Sequence, residues 1–306
     1  MTPPTVAVII PTYQRNDHLI RALESIQHQS YPQDKIEIFV VDGADGNAKD
    51  VAEEFGARYR SPTPDPGIAG CRQIAIDEAD SEYIHLLDDD DTLTKSAIET
   101  QVNISNATNS GVTYGAVKWP TGRVVRPNSD VQGDVLWEAL AFEMAPCIPS
   151  TMLIESEILD QLPRLETLPS DDVAFNIELA QVAEYAYTDR VVANRQPGET
   201  GAGGDKQTVE NRRMTIDKYQ DLYQQHPEAY RRARAATDLL AAQAVFREQL
   251  WSLSAIQYGF RAARHAPSIA TVGCAVATLF GRPGRDFARN IYSNYILSGE
   301  NEGKIW

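Results

Sequence analysis

Tyr83-Ile84-His85-Leu86-Leu87-Asp88-Asp89-Asp90-Asp91 decides how the rest of this chain is read. Its first five residues, mostly apolar, predict a strand buried in a sheet. Four consecutive carboxylates then end the strand. Charges fixed together at a sheet edge are costly unless a cation sits with them. In an α/β protein, the edge where strands end is also where ligands bind. A divalent metal carrying a phosphorylated ligand is the natural counter-charge. The competing reading is a solvated acidic turn, which an acidic chain supplies easily.

Upstream of this stretch, strands and helices alternate. Val6–Ile10 is a short apolar run that stops at Pro11 and reads as a buried parallel strand. Between Asp17 and Gln29, Leu19, Ile20, Leu23 and Ile26 recur at helical spacing. Ile36–Val41 predicts a second strand, Ala48–Phe55 a short helix, and Ala57–Arg60 a small strand. A proline-rich loop over 61–67 precedes a predicted helix, Gly67–Ala79. Four such alternations predict a doubly wound, mostly parallel sheet flanked by helices.

The pattern loosens from residue 111. Val112–Val117 and Thr151–Ile154 read as strands, and Val173–Val182 as a helix behind Asp171-Asp172. Residues 196–206 hold four glycines and a proline, which suits a linker or a lid. Beyond them, Glu210–Gln225 and Glu228–His265 contain almost no helix breakers. Ile269–Phe280 is apolar but too short to cross a bilayer, and Arg285–Leu297 is amphipathic. The expected division is a sheet domain over 1–205 and a helical C-terminal region over 206–306.

Composition narrows the function classes. The 306 residues carry a net charge of −15, and 42% of them are hydrophobic. Residues 1–209 hold 34 acidic against 15 basic side chains, whereas residues 210–306 hold 9 against 13. Acidity of that kind argues against nucleic acid as a partner of the first region. The basic tail suits an anionic surface. Only 7 of the 28 cations are lysine, which together with the excess of acid resembles a halophilic balance. Cys71, Cys147 and Cys274 fit no zinc spacing and suggest reduced thiols. With no signal-peptide pattern at the start, a cytoplasmic protein is expected, with peripheral contact to the membrane's cytoplasmic face through the C-terminal helices. The competing expectation is that these helices only pack on the main domain.

Four motifs follow predicted strands or open a helix: Pro11-Thr-Tyr-Gln-Arg15, Val40-Val-Asp42-Gly43, Gly67-Ile-Ala-Gly-Cys-Arg72-Gln73 and Leu87-Asp-Asp-Asp-Asp91. A parallel sheet would bring them to one crevice. Their order and spacing resemble the family 2 glycosyltransferases, whose pattern runs P-T-Y-N-R, V-V-D-D-G-S, A-R-N and L-D-x-D-D. The resemblance is close over about residues 5–100 and looser over 110–200. It implies the GT-A fold and inverting, metal-dependent transfer of a sugar from a nucleotide-sugar donor.

The resemblance also implies roles. Asp90 would ligate Mg²⁺ or Mn²⁺, and Asp88 would contact the metal or the ribose. Asp89 and Asp91 would line this site or simply be solvated. Arg72 would reach the phosphates or the base. Pro11, Thr12, Tyr13 and Arg15 would line the donor pocket, together with Asp42. The family's second acid after strand two is Gly43 here, which loosens the link to uracil, although a UDP-sugar is still favoured; Asp45 sits at a different offset. The family's acidic pair at a later helix start corresponds to Asp171 and Asp172, with Asp172 as the base that deprotonates the acceptor and Asp171 in support. Helix capping alone would also account for these two residues. The segment Asn194-Arg-Gln-Pro-Gly198 lacks the histidine that many relatives carry, and the Q-x-x-R-W motif of processive synthases is absent. The expected reaction is therefore the addition of a single hexose or hexuronic acid. Its acceptor would be a glycan carried on polyprenyl or dolichol phosphate, as in archaeal protein N-glycosylation. Two alternatives stay open: a non-catalytic nucleotide-sugar-binding protein and a sugar-phosphate nucleotidyltransferase.

Overall fold

The computed structural model describes residues 2–44, 46–169, 172–196 and 206–286. Among these residues the chain forms two compact units. One comprises 1–135 and 145–198; the other comprises 136–144 and 199–306.

The first unit is built on a nine-stranded sheet. Its strands are β1 (Val6–Thr12), β2 (Ile36–Asp42), β3 (Arg58–Arg60), β4 (Tyr83–Leu86), β5 (Asp91–Leu93), β6 (Val112–Lys118), β7 (Val124–Val125), β8 (Met152–Glu155) and β9 (Tyr185–Arg195). The order is β3-β2-β1-β4-β8-β6-β9-β5, with β7 beside β6. β3, β2, β1 and β4 are parallel neighbours. β8 runs antiparallel to both β4 and β6, so β6 shares the direction of β4, and β9 lies parallel to β6. The sheet is mixed, but six strands point the same way. This is the mostly parallel architecture that the alternation of elements predicts.

β1 is buried along its whole length, as expected of a strand covered on both faces. Helices α1 (Asn16–Gln27), α2 (Lys49–Glu54) and α3 (Gly67–Glu78) connect the parallel strands. Leu19, Leu23 and Ile26 of α1 pack on Val6, Val8 and Ile10 in the main core. Of the elements that periodicity does not anticipate, three are instructive. α4 (Ala97–Thr108) is rich in Asn, Ser and Thr, which are weak helix formers. It ends at Asn109 in the left-handed conformation, φ 54°, a stop signal present in the sequence. β9 carries Asp189-Arg190 mid-strand, and its register against β6 shifts at a bulge, which blurs the alternation. β5 is three residues long and starts on the last aspartate. Short helices α5 (Leu136–Ala141) and α6 (Ser156–Leu159) and the longer α7 (Asp172–Ala180) complete the first stretch of chain.

The second unit takes in α5 and five further helices: α8 (Lys206–Lys218), α9 (Gln220–Gln225), α10 (Pro227–Glu248), α11 (Leu253–His265) and α12 (Ile269–Thr278). The sequence pattern over 228–265 reads as one helix, but the chain breaks at Gln249, which is extended (φ −128°, ψ 140°). α10 and α11 fold into a hairpin, with Ala242, Phe246 and Ala255 in its core and Asp238 paired with Arg261 at 3.0 Å. Packing rather than a breaker residue sets this turn. α12 starts at a capping box: Ser268 Oγ accepts from the Thr271 N–H at 3.1 Å, and the Ser268 N–H donates to Thr271 Oγ at 2.9 Å. The three cysteines are buried free thiols. All but the first two residues of the Arg285–Leu297 segment, and most of 196–206, lie outside the described residues. No described helix is long and apolar enough to cross a membrane.

Candidate active site

The parallel register fixes where the motifs meet. Thr12 and Asp42 are paired residues at the ends of β1 and β2. Leu86 pairs with Ile9, and the Leu87 N–H donates to the Ile9 carbonyl at 2.9 Å. The aspartates therefore emerge beside the loop that follows β1. Gln14 in that loop takes the left-handed conformation, φ 54°, a strained state for a residue with a Cβ. Thr12 Oγ1 donates to Asp89 at 2.8 Å, and Arg15 Nη1 bridges Asp89 at 3.2 Å and Asp90 at 3.4 Å. Pro11 and Thr12 are buried, whereas Tyr13 is exposed.

Asp89 and Asp90 share Arg15, whereas Asp88 and Asp91 face other cations. Asp88 accepts from Arg72 Nη2 at 2.5 Å, and its own N–H donates to Ser150 Oγ at 3.2 Å. Burial pushes the Asp89 carboxyl up, opposed by the Thr12 hydrogen bond and Arg15. Asp91 is fully buried, and burial raises its pKa to about 7 against the opposing charge of Arg195. Arg195 Nε stands 3.4 Å from Asp91 Oδ1, and its guanidinium lies 5.5 Å from the centre of the Trp119 ring. Burial disfavours the charged Arg195, but Asp91, Asp88, Asp90 and Asp172 outweigh it and hold its pKa above the ordinary value.

A divalent cation fits this donor set. Oxygens of Asp88, Asp90 and Asp91 lie within 4.8 Å of one another. Both Asp91 oxygens are buried without a hydrogen bond, an unsatisfied state that a cation would relieve. The sequence reading favoured Asp90 and Asp88 as ligands; the geometry adds Asp91, while Asp89 turns toward Thr12 and Arg15.

The end of β2 is arranged differently. The Asp42 carboxylate is 1% exposed and accepts from the N–H groups of Ala44 (2.9 Å) and Ala48 (3.2 Å) and from the Tyr59 hydroxyl (3.0 Å). These bonds tie down the loop after β2. Asp65 occupies the space beside Gly43: a Cβ at 43 would lie 2.6 Å from Asp65 Oδ1. Asp65 is exposed and also accepts from the Gly67 N–H at 2.8 Å. A carboxylate therefore stands where the sequence lacks one, brought in from the loop before α3. Asp45 lies outside the described residues.

Asp172 is the first residue of α7 and is solvent-exposed. A carboxylate is favoured there by the helix N-terminus. Its charge acts on Arg195 and, after burial, helps raise the Cys147 thiol pKa. Ser170 and Asp171 lie outside the described residues. Arg195 thus sits within electrostatic reach of both the aspartate cluster and Asp172. Sequence reasoning did not single it out, although the Asn194-Arg-Gln segment was noted for its missing histidine; nor did it find Asp65 or Ser150.

The family model of glycosyl transferase family 2 matches residues 7–163, just over half of the chain, and the chain belongs to that family. A poly(ribitol-phosphate) beta-glucosyltransferase from Bacillus spizizenii is 27% identical over 168 residues, which cover 50% of this chain and 26% of that protein. The matched segments span 26%, 42% and 32% of the length of three such curated relatives. Among solved structures, S. aureus TarS 1-349 in complex with UDP-GlcNAc superposes with a TM-score of 0.59 at 16% identity, covering 96% of this chain and 92% of that one. The mannosyltransferase PcManGT from Pyrobaculum calidifontis, in complex with GDP-Man and Mn²⁺, gives 0.58 at 21% identity, covering 98% and 88%. At these identities the likeness establishes the fold, the GT-A architecture that the sequence pattern implied.

Proposed function

We propose that this family 2 member transfers one hexose or hexuronic acid, with inversion, from a nucleotide sugar to a hydroxyl of a glycan acceptor. The observation that carries the reading is the convergence of Asp88, Asp90 and Asp91 at the strand ends, flanked by Arg15, Arg72 and Arg195. Three cations around three carboxylates suit a diphosphate bridged by a metal better than either charge alone. Residues 1–205 would hold the whole catalytic unit, and 206–306 the accessory helices.

Asp88, Asp90 and Asp91 would hold Mg²⁺ or Mn²⁺, which supplies charge neutralisation of the departing diphosphate when bound. Arg72, only 12% exposed at its side chain and anchored on Asp88, is placed to hold a phosphate oxygen. Exposed Tyr13 offers a flat face to the base. Asp65 offers a carboxylate to a ring N–H, which uracil and guanine possess and cytosine lacks. Asp42, committed to its loop, would position that pocket without touching the donor. Asp172 would take the acceptor hydroxyl's proton as that oxygen attacks the anomeric carbon opposite the leaving group. The new C–O bond forms as the bond to the diphosphate breaks, and the electron pair leaves with the phosphate. The poly(ribitol-phosphate) relative supports a polymeric or surface-glycan acceptor. A lipid-linked glycan at the cytoplasmic face remains our reading of the acceptor, with UDP-sugars the first donors to try.

The test is a thermal-shift screen with UDP-, GDP- and dTDP-sugars, each with and without Mn²⁺ or Mg²⁺. Ligand binding raises the melting temperature by mass action. Metal-dependent stabilisation by one nucleotide, lost in Asp90→Ala, is expected. No shift from any of these donors, with or without metal, overturns the reading.

A further inference from the structure

Helix α12 is inverted relative to an ordinary surface helix. Its buried positions are Thr271, Cys274, Ala275 and Thr278. These small side chains let α11 approach closely: a Cβ on Gly259 would lie 2.9 Å from Thr278 Cγ2. The outward side carries Ile269, Val272, Val276, Leu279 and Phe280, with Ile269 94% and Phe280 70% exposed. At the helical repeat these five fall within an arc of about 100°. A soluble helix places such a stripe inward and polar residues outward.

The stripe continues onto the turn between α10 and α11. Leu250 and Trp251 are exposed there, and the Trp251 indole N–H donates to the Leu279 carbonyl at 3.2 Å. The Arg282 N–H donates to the Leu250 carbonyl at 2.7 Å, which places an exposed arginine beside the apolar patch. Charge is one-sided in this region. From Leu253 to Asp286 there are four arginines and a single acid, Asp286, in a chain whose net charge is −15. The acids on neighbouring α10, Glu228, Asp238 and Glu248, are paired with Arg232, Arg261 and Lys206, and Asp286 is paired with Arg285, which leaves Arg264 and Arg282 as the arginines of this stretch outside those pairs.

From this geometry we infer that the α12 face docks on the surface of an anionic lipid bilayer. An apolar stripe with a cationic rim and an indole at its edge matches the headgroup boundary, where apolar side chains enter the acyl region and arginines meet lipid phosphates. With ten residues α12 lies in the interface and does not cross it. A second copy is disfavoured, because a two-fold partner would set the same acid-poor, cationic surface against itself. The inference is independent of the glycosyl-transfer reading, since its test measures binding alone.

The test is co-flotation of the whole chain with vesicles of phosphatidylcholine, or of phosphatidylcholine mixed with phosphatidylglycerol. The chain is expected to float with the anionic vesicles and much less with the neutral ones. The triple variant Ile269→Gln, Val276→Gln and Phe280→Gln should lose about tenfold or more of that binding, with unchanged helix content by circular dichroism. Arg282→Gln, which spares the apolar stripe, should lose about fivefold on anionic vesicles only. The inference is overturned by no flotation, by equal binding to both vesicle types, or by a triple variant that is folded and floats like the parent. A soluble dimer in light scattering that the triple variant dissociates, without vesicle binding by the parent, would instead assign the face to a second copy.

Discussion

Asp91, a carboxylic acid, is fully buried at the end of the sheet, while Ile269, an aliphatic side chain, is 94% exposed on the last helix. Both placements run against the hydrophobic effect, in opposite directions. At the sheet edge Arg195 offsets part of the cost of burying Asp91, and Arg72, Arg15 and Thr12 hold the neighbouring aspartates in place before any ligand arrives. On α12 no described residue covers the exposed side. The first region is preorganised and the second awaits a partner. Substitutions should accordingly be severe in the first and mild in the second.

The largest expected effect is on transfer. Asp172→Asn should lower kcat by roughly 10²–10⁴ while leaving the donor-induced thermal shift intact. Equal transfer rates in variant and parent would remove Asp172 from the mechanism.

Next in size is Arg195→Gln, which strands the buried Asp91 carboxylate. A loss of about 3 kcal/mol in unfolding free energy is expected at pH 8 in the presence of a chelator. The folded pKa of Asp91, about 7, lies above its unfolded value near 3.8. The folded state therefore binds the extra proton, and that stabilisation is present below about pH 4 and is lost as pH rises through about 7. Chemical denaturation at pH 5 should find a smaller penalty for the variant than at pH 8. A penalty that does not change with pH would mean that Asp91 is not what Arg195 holds.

His85 gives the opposite slope in the same unit. Complete burial lowers its pKa to about 4. The unfolded chain takes up a proton below its unfolded value of about 6.5, and the folded chain does not, so stability falls by up to about 1.4 kcal/mol per pH unit from there toward pH 4. His85→Leu should flatten that limb of the stability profile, and an unchanged limb would place the acid sensitivity elsewhere.

A smaller effect is expected from Thr12→Val, which keeps the shape but removes the donor to Asp89, at a cost of about 1.5 kcal/mol. The smallest belongs to the other region. The triple glutamine variant of α12 should change unfolding free energy by no more than about 0.5 kcal/mol in solution, because its side chains are already in water. A loss of several kcal/mol there would break the comparison by showing the stripe to be part of the folded core.

The parallel half of the sheet was legible because each of its strands is a short apolar run ended by a motif residue, as in Val6–Ile10 before Pro11. α4 was not legible, because its Asn, Ser and Thr carry little helical preference and packing against the sheet decides its state. β9 was obscured by its bulge at Asp189-Arg190. In the site, Thr12, Arg15, Arg72 and the four aspartates were marked by motif and order, and the structure joins them directly. Arg195 sits at the end of a strand that periodicity could not find. Asp65 replaces a side chain missing at Gly43 from a loop 22 residues away in sequence, a distance that only folding closes.

By itself, the sequence determined the parallel half of the sheet, the order of its strand-end motifs and the acidic edge they form, because these depend on local apolar runs and on residues adjacent to them. The tertiary structure alone decided which carboxylate faces which cation, that Asp42 is committed to its own loop while Asp65 stands beside Gly43, and that α12 turns its apolar side outward. Those outcomes depend on contacts between residues far apart in the chain, and on which face of a helix its neighbours leave uncovered. A single helix's pattern shows only that one face is apolar; whether that face is buried is set by everything packed around it.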